Sequence, residues 1–244
     1  MRFDDYHRTV IGYHGTRLSV ALDIVNRKRN FHYSRNRDDW LGHGVYFWEY
    51  APQQALWWAE RRQKRQNWNE PVAILASMIR LGFCWDLLEP ENLQILKTMH
   101  ERYVQLQLAS RQNIPKNFNH HKYLDCAVFQ YAYAIIEDEQ QQSVDSTRAV
   151  YVPTGKDKRI WPRSWISQSA HIQICVRNER CILGTWLNHP THLEESDATL
   201  TEEFSAKRLD SEAQGGNQEI EKDDHGRTDP SDGQSKSDDS SRSG

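Results

Sequence analysis

An α+β fold is predicted by three observations. Apolar, β-branched runs stand at both ends of the foldable part of the chain, and helix-period stripes fill its middle. No regular β-α-β alternation occurs, which argues against a doubly wound parallel sheet. No internal repeat is visible either.

The elements follow in order. Val10 to Tyr13 reads as a strand that ends at His14-Gly15. Leu18 to Asn26 carries Leu18, Ala21, Leu22 and Val25 on one face at spacings of three and four, a helix. Phe31 to Ser34 alternates briefly, and Arg35 to Asp39 is polar and loop-like. Gly42 and Gly44 bracket His43 before the strand Val45 to Trp48. Pro52 opens a helix through Arg65, because proline lacks an N–H that the first helical turn leaves unpaired anyway. Val72 to Leu81 is rich in aliphatic and β-branched residues and reads as a strand. Glu91 to Ala109 carries the stripe Leu93, Leu96, Met99, Tyr103 and Leu106, and Tyr123 to Ile136 is a second long helix. Arg148 to Val152 is a strand closed by Pro153. Ile172 to Arg177 and Cys181 to Leu187 are two strands joined by the turn Asn178-Glu179-Arg180.

Composition bounds the domains. Residues 1–195 read as one domain, a size that buries a substantial core. Residues 205–244 hold no aromatic residue, and their only large aliphatics are Leu209 and Ile220. Such a segment cannot offset the entropy of ordering it, so a disordered polar tail is expected. The tail carries 6 Lys/Arg against 10 Asp/Glu, whereas the whole chain is at −3. The remainder is nearly neutral, which does not mark a dedicated nucleic-acid binder.

Other classes are disfavoured by what the sequence lacks. No apolar run approaches the roughly 20 residues of a membrane span. The opening MRFDDYHRTV has no apolar signal-peptide core, so an intracellular location, cytoplasmic or nuclear, is expected. Cys84, Cys126, Cys175 and Cys181 show no zinc spacing and are expected to be buried free thiols. His120, His121 and Asp125 lack further ligand spacing, so no metal site is expected. The glycines at 42 and 44 form neither a dinucleotide fingerprint nor a P-loop. All nine tryptophans precede Ser205, which suits dense packing and equally a pocket for a flat ligand.

Three segments carry the chemical signal: YHGT at Tyr13–Thr16, GHGVYFW at Gly42–Trp48, and HIQICVRNERCILGTWL at His171–Leu187. Taken alone, His14 suits a strand-end histidine bonded to backbone, and Tyr46 suits a core ring. Gly15 lets backbone approach a flat molecule closely, because it has no side chain. Arg61, Arg62, Lys64 and Arg65 fit a solvated helix face, and would also suit an acceptor bearing phosphates.

In order and spacing, the three segments resemble the signature strands of PARP-like, diphtheria-toxin-type ADP-ribosyltransferases. The resemblance runs from about residue 10 to 187; in the middle it is one of element order only. It implies a mainly antiparallel split β-sheet with flanking helices, and NAD as substrate. It places His14 on the adenosine ribose, the Gly15 backbone on the nicotinamide carboxamide with the Thr16 hydroxyl beside it, and Tyr46 against the nicotinamide ring. Trp57 stands where the family often has a second stacking tyrosine. Gln173 stands where the family usually has a catalytic glutamate. Glycosyl transfer from NAD passes through an oxocarbenium-like state that negative charge stabilises, and a glutamine cannot supply that charge or act as a base. The resemblance with this departure implies a mono-ADP-ribosyltransferase, a glycosyltransferase acting on a protein or nucleic-acid acceptor. The alternatives are a weak or inactive NAD- or ADP-ribose-binding module and an NAD glycohydrolase. Glu49 and Asp145 are the candidates for a substitute carboxylate.

Overall fold

A computed structural model describes residues 5–118, 121–152 and 159–188. The chain divides into two units, Met1–Ser196 and Asp197–Gly244. The second unit, and with it the expected tail at 205–244, lies outside the described residues, as do Pro153 and His120.

The fold is α+β: a six-stranded, mostly antiparallel sheet with four helices. The elements are β1 (Asp5–Arg17), α1 (Leu18–Val25), β2 (Val45–Glu49), α2 (Pro52–Gln66), β3 (Val72–Asp86), α3 (Pro90–Ala109), α4 (Tyr123–Gln140), β4 (Ser146–Tyr151), β5 (His171–Val176) and β6 (Ile182–Asn188). The strand order is β1-β2-β5-β4-β3-β6, with a further long pairing of β1 to β3. The long strands β1 and β3 pair antiparallel from Arg17/Val72 up to Asp5/Phe83. β6 lines the other edge of β3, and β4 meets its far end in parallel at Cys84–Asp86. That parallel contact is made possible by the crossover through α3 and α4, since parallel neighbours need a long connection.

β1 and β3 are longer than their apolar runs suggest. β3 continues past Gly82, whose φ of +63° a side chain would strain, and Phe83 and Trp85 then bury beyond it. A Cβ at Gly82 would also strike the Asp145 carboxylate. The Phe31–Ser34 stretch contributes only a single bridge, Ser34 to Gly44.

The core lies on both faces of the sheet. On one face Val10, Phe31, Phe47, Leu75, Ile79 and Ile174 pack under α1. On the other, Trp85, Met99, Phe129, Tyr133 and Ile136 pack under α3 and α4. A third cluster, Trp48, Ala55 and Ile74, lies under α2. α2 comes close because Ala55 and Ala59 are small and fully buried, and because Gly15 faces them. All four cysteines are buried. Burial pushes the thiol of Cys84 up to about 12 and that of Cys126 up to about 11, so both stay protonated.

A buried ion-pair cluster ties three strands. Arg148 on β4 donates Nη2–H to Glu49 Oε1 at 2.9 Å and Nη1–H to Asp86 Oδ2 at 3.0 Å. All three side chains are almost completely buried. Among the described residues no helix is long and apolar enough to cross a membrane, and no group of three or more His, Cys, Asp or Glu could hold a metal ion.

Candidate functional site

The first two motif segments end β1 and form β2, and the third spans β5 and β6; β1, β2 and β5 are adjacent, whereas β6 lies beyond β3. β1 and β2 pair only at Gly12/Glu49 and Tyr13/Trp48 and then diverge. Where they part, the His14 Nδ1–H donates to the Tyr46 carbonyl at 2.8 Å. A carbonyl can only accept, so the proton sits on Nδ1 and Nε2 keeps its lone pair. Burial lowers the His14 pKa, and the nearby Arg62 lowers it further, outweighing the opposing effect of the Tyr46 bond. The ring is therefore neutral at pH 7. It packs edge-on to Phe31 at 5.3 Å and near Phe47 at 5.7 Å.

The second shared feature is on the opposite face of the sheet. Trp48 on β2 is the direct partner of Gln173 on β5, which is in turn the partner of Ala149 on β4. Direct partners present their side chains on the same face, so Tyr46, Trp48, Gln173 and His171 share one face, and Phe47 lies on the other with His14. The Gln173 Oε1 accepts from Trp40 Nε1–H at 2.8 Å. Its Nε2–H donates to His171 Nε2 at 2.9 Å. The His171 Nδ1–H donates to the Ser169 carbonyl at 2.7 Å, which fixes Nε2 as the acceptor. Burial holds the His171 pKa below its usual value. The imidazole also stacks on Tyr151 at 5.1 Å and lies near Trp48.

Trp58 on α2 joins the two faces at the divergence. Its ring lies 6.4 Å from His14 and 5.6 Å from Trp48. The sequence resemblance points instead to Trp57, one position away, which is 48% exposed against 37% for Trp58. The helix geometry explains the difference. Ala55 and Ala59 mark the inward face, and Trp58 and Arg62 lie within about 60° of Ala55 at 100° per residue, whereas Trp57 lies about 160° away. That stripe was the available signal for Trp58.

The remaining expected site residues have definite positions. Gly15 pairs with Ile74, and a Cβ there would lie 2.1 Å from the Ala55 carbonyl oxygen. Its missing side chain thus makes room for α2 on β1. Thr16 is half-buried and lies on the His14 face by alternation. The Tyr46 hydroxyl donates to the Gly42 carbonyl at 2.7 Å and accepts from the Leu41 N–H at 2.9 Å, so it holds the Gly42 turn in place. Burial raises its pKa well above that of a free phenol.

Both candidate substitute carboxylates have structural partners. Glu49 is paired to Arg148, one residue from Trp48 and hence on the face away from Gln173. Asp145 accepts from the Phe83 N–H at 2.9 Å and from Asn178 Nδ2 at 2.6 Å, four residues before the Gln173 partner Ala149. His121 and Asp125 do not converge: His121 bonds Asp38 at 2.6 Å and Asp125 accepts from Asn117 at 2.7 Å.

A separate cavity of about 830 Å³ opens between α3, α4 and β4, lined by Leu87, Leu93, Leu96, Phe129 and Val150 among others. It is mostly apolar and lies away from His14. Trp40 is its link to the site, since it lines the cavity and donates to Gln173.

No family model, no curated protein and no solved structure matches this chain.

Proposed function

We propose that this chain binds NAD at the divergence of β1 and β2 and transfers a single ADP-ribose to a macromolecular acceptor, in a split-sheet architecture of the ADP-ribosyltransferase kind. The observation that carries the reading is the junction at His14. The motif strands β1 and β2 separate there, and a neutral imidazole spans the gap with Nε2 free of its proton. A ribose hydroxyl is a donor that such a nitrogen accepts.

The chemistry follows from the groups present. The bond from the ribose C1′ to nicotinamide breaks, and nicotinamide leaves with the electron pair. The acceptor nucleophile then attacks C1′, forming the new glycosidic bond, and gives up its proton to solvent water. Gln173 has one N–H and one oxygen lone pair beyond its bonds to His171 and Trp40, enough to orient a ribose hydroxyl. It supplies no negative charge to the oxocarbenium, so turnover is slow and chain elongation is not expected.

The alternative, a module that binds NAD or ADP-ribose with little or no transfer, is favoured by the pairing of Glu49 with Arg148 and of Asp145 with Asn178. One experiment separates the two. The full chain is incubated with labelled NAD and a cell lysate, then divided between protease and nuclease digestion. Label lost to one digestion names the acceptor class. Binding of NAD without any macromolecular label or nicotinamide release establishes the module. Nicotinamide release without macromolecular label establishes the glycohydrolase.

A further inference from the structure

Beside His14, on the inward face of α2, sits an arginine that has no anionic partner among the described residues. The Arg62 guanidinium lies over the Trp58 ring, 4.9 Å from its centroid, and 5.9 Å from that of Trp68. Arg17, at the end of β1, lies over the other ring, 4.6 Å from the Trp68 centroid. Two indoles thus hold the planes of two guanidiniums. Cation–π contact satisfies a guanidinium face, not its in-plane N–H donors. The Arg62 Nε is buried and has no hydrogen-bond partner among the described residues. A buried donor left unpaired is costly, and a native site tolerates it where a ligand supplies the acceptor.

The charge is unbalanced in the same direction. Glu70 is the carboxylate in this group, and it is already shared between Arg17 at 3.9 Å and the Ser19 N–H at 2.9 Å. Burial lowers the Arg62 pKa, and the neighbouring charges of Arg65 and Arg17 lower it further. Two like charges are therefore gathered around one partly buried guanidinium.

We propose that Arg62, with Arg17 and Arg65, is an anion site for the diphosphate of a nucleotide whose ribose meets His14. This deepens the proposed function and rests on that reading for the ribose, but the phosphate site has its own readout. A diphosphate fits better than a carboxylate, because it presents acceptors to several guanidiniums at once, and guanidinium forks match phosphate oxygens. The spacing suits a nucleotide: Trp58 touches both His14 and Arg62, so the ribose and phosphate groups would lie on either side of one indole.

The test is calorimetric titration of the full chain with ADP, adenosine and inorganic pyrophosphate. ADP is expected to bind at least about tenfold more tightly than adenosine, and its affinity to fall with added salt. Arg62→Gln is expected to weaken ADP about tenfold and adenosine by much less. Arg65→Gln, at an exposed position, tests the same site without touching the Trp58 packing and is expected to weaken ADP to a smaller extent. Arg62→Lys, which keeps charge without the fork, is expected to fall between wild type and Arg62→Gln. Equal affinities for ADP and adenosine would overturn the proposal. So would unchanged ADP affinity in a folded Arg62→Gln or in Arg65→Gln, or no binding of either ADP or pyrophosphate to wild type. ADP binding with these losses, but without NAD turnover, would uphold the anion site and count against transfer.

Discussion

Replacing Gln173 by glutamate puts a carboxylate where the amide now donates to His171. In wild type, His171 has its proton on Nδ1, bound to Ser169, and takes the Gln173 N–H at Nε2. The Gln173→Glu carboxylate would face that lone pair at about the present 2.9 Å and cannot donate when ionised. The repulsion is relieved if His171 takes a second proton. An opposite charge at this range raises a histidine pKa by about 1 to 3 pH units, or about 1.4 to 4 kcal/mol. The Trp40 N–H remains available to either carboxylate oxygen. The sign of the pH dependence then inverts. In wild type the His171 pKa is depressed in the fold, so its contribution to stability is present above 6.5 and lost as pH falls through the folded value. In the variant, once the rise exceeds the wild-type depression, the folded value lies above 6.5, so the contribution is present below 6.5 and lost as pH rises through the new value.

The assay is an NMR titration of the His171 Cε1–H in both proteins, with melting curves at pH 5.5 and 8. His171 should titrate higher in the variant than in wild type, and the melting temperature of the variant should gain on wild type at pH 5.5 relative to pH 8. Any gain in NAD turnover, about tenfold or more for a charge beside the oxocarbenium, should grow as pH rises past the new His171 value and the carboxylate is freed from its imidazolium. A His171 that titrates no higher in Gln173→Glu than in wild type would refute the Gln173–His171 bond and the argument built on it.

Three further outcomes are expected. Gly15→Ala should cost about 1–3 kcal/mol by forcing α2 off β1, since the new Cβ would lie 2.1 Å from the Ala55 carbonyl oxygen; denaturant melts check it, and a variant as stable as wild type would contradict the packing role. Arg148→Met should cost about 3–5 kcal/mol, because Glu49 and Asp86 would remain buried without their main partner; urea unfolding measures it. Wild-type stability should decline as pH falls below about 6.5, at no more than about 1.4 kcal/mol per pH unit for each of His14 and His171, whose folded pKa values are both depressed; melting temperatures across pH 5 to 8 test it.

Much of the scaffold was legible from residue pattern. The stripe Leu93, Leu96, Met99 and Tyr103 and the Pro52 start gave helices close to α3 and α2, because amphipathic period and proline placement are local properties. Strand ends were less legible. β1 reaches back to Asp5 because β3 offers a long partner, and pairing of that range is not written in either strand alone. The parallel β3–β4 contact likewise depends on the α3–α4 crossover.

The site was legible in part. His14 and Tyr46 are brought together, yet through the Tyr46 backbone carbonyl, while the Tyr46 hydroxyl serves the Gly42 turn. Period-two alternation separates His14 from Gln173 onto opposite faces, a consequence of register that motif spacing does not contain. Trp40 and Tyr151 gave no local signal, since they reach Gln173 and His171 only through tertiary packing. His171 had one, two residues before Gln173 on the same strand face.

The central claim is that the neutral His14 Nε2 accepts from a bound NAD. Calorimetric titration of NAD into wild type and into His14→Asn tests it most directly. Asparagine keeps a donor near the Nδ1 position for the Tyr46 carbonyl and removes the Nε2 acceptor. With the fold verified by its melting curve, the variant should bind NAD about 1–3 kcal/mol more weakly, roughly 5- to 150-fold. Equal NAD affinity in the two proteins, or no NAD binding by wild type, would contradict the account.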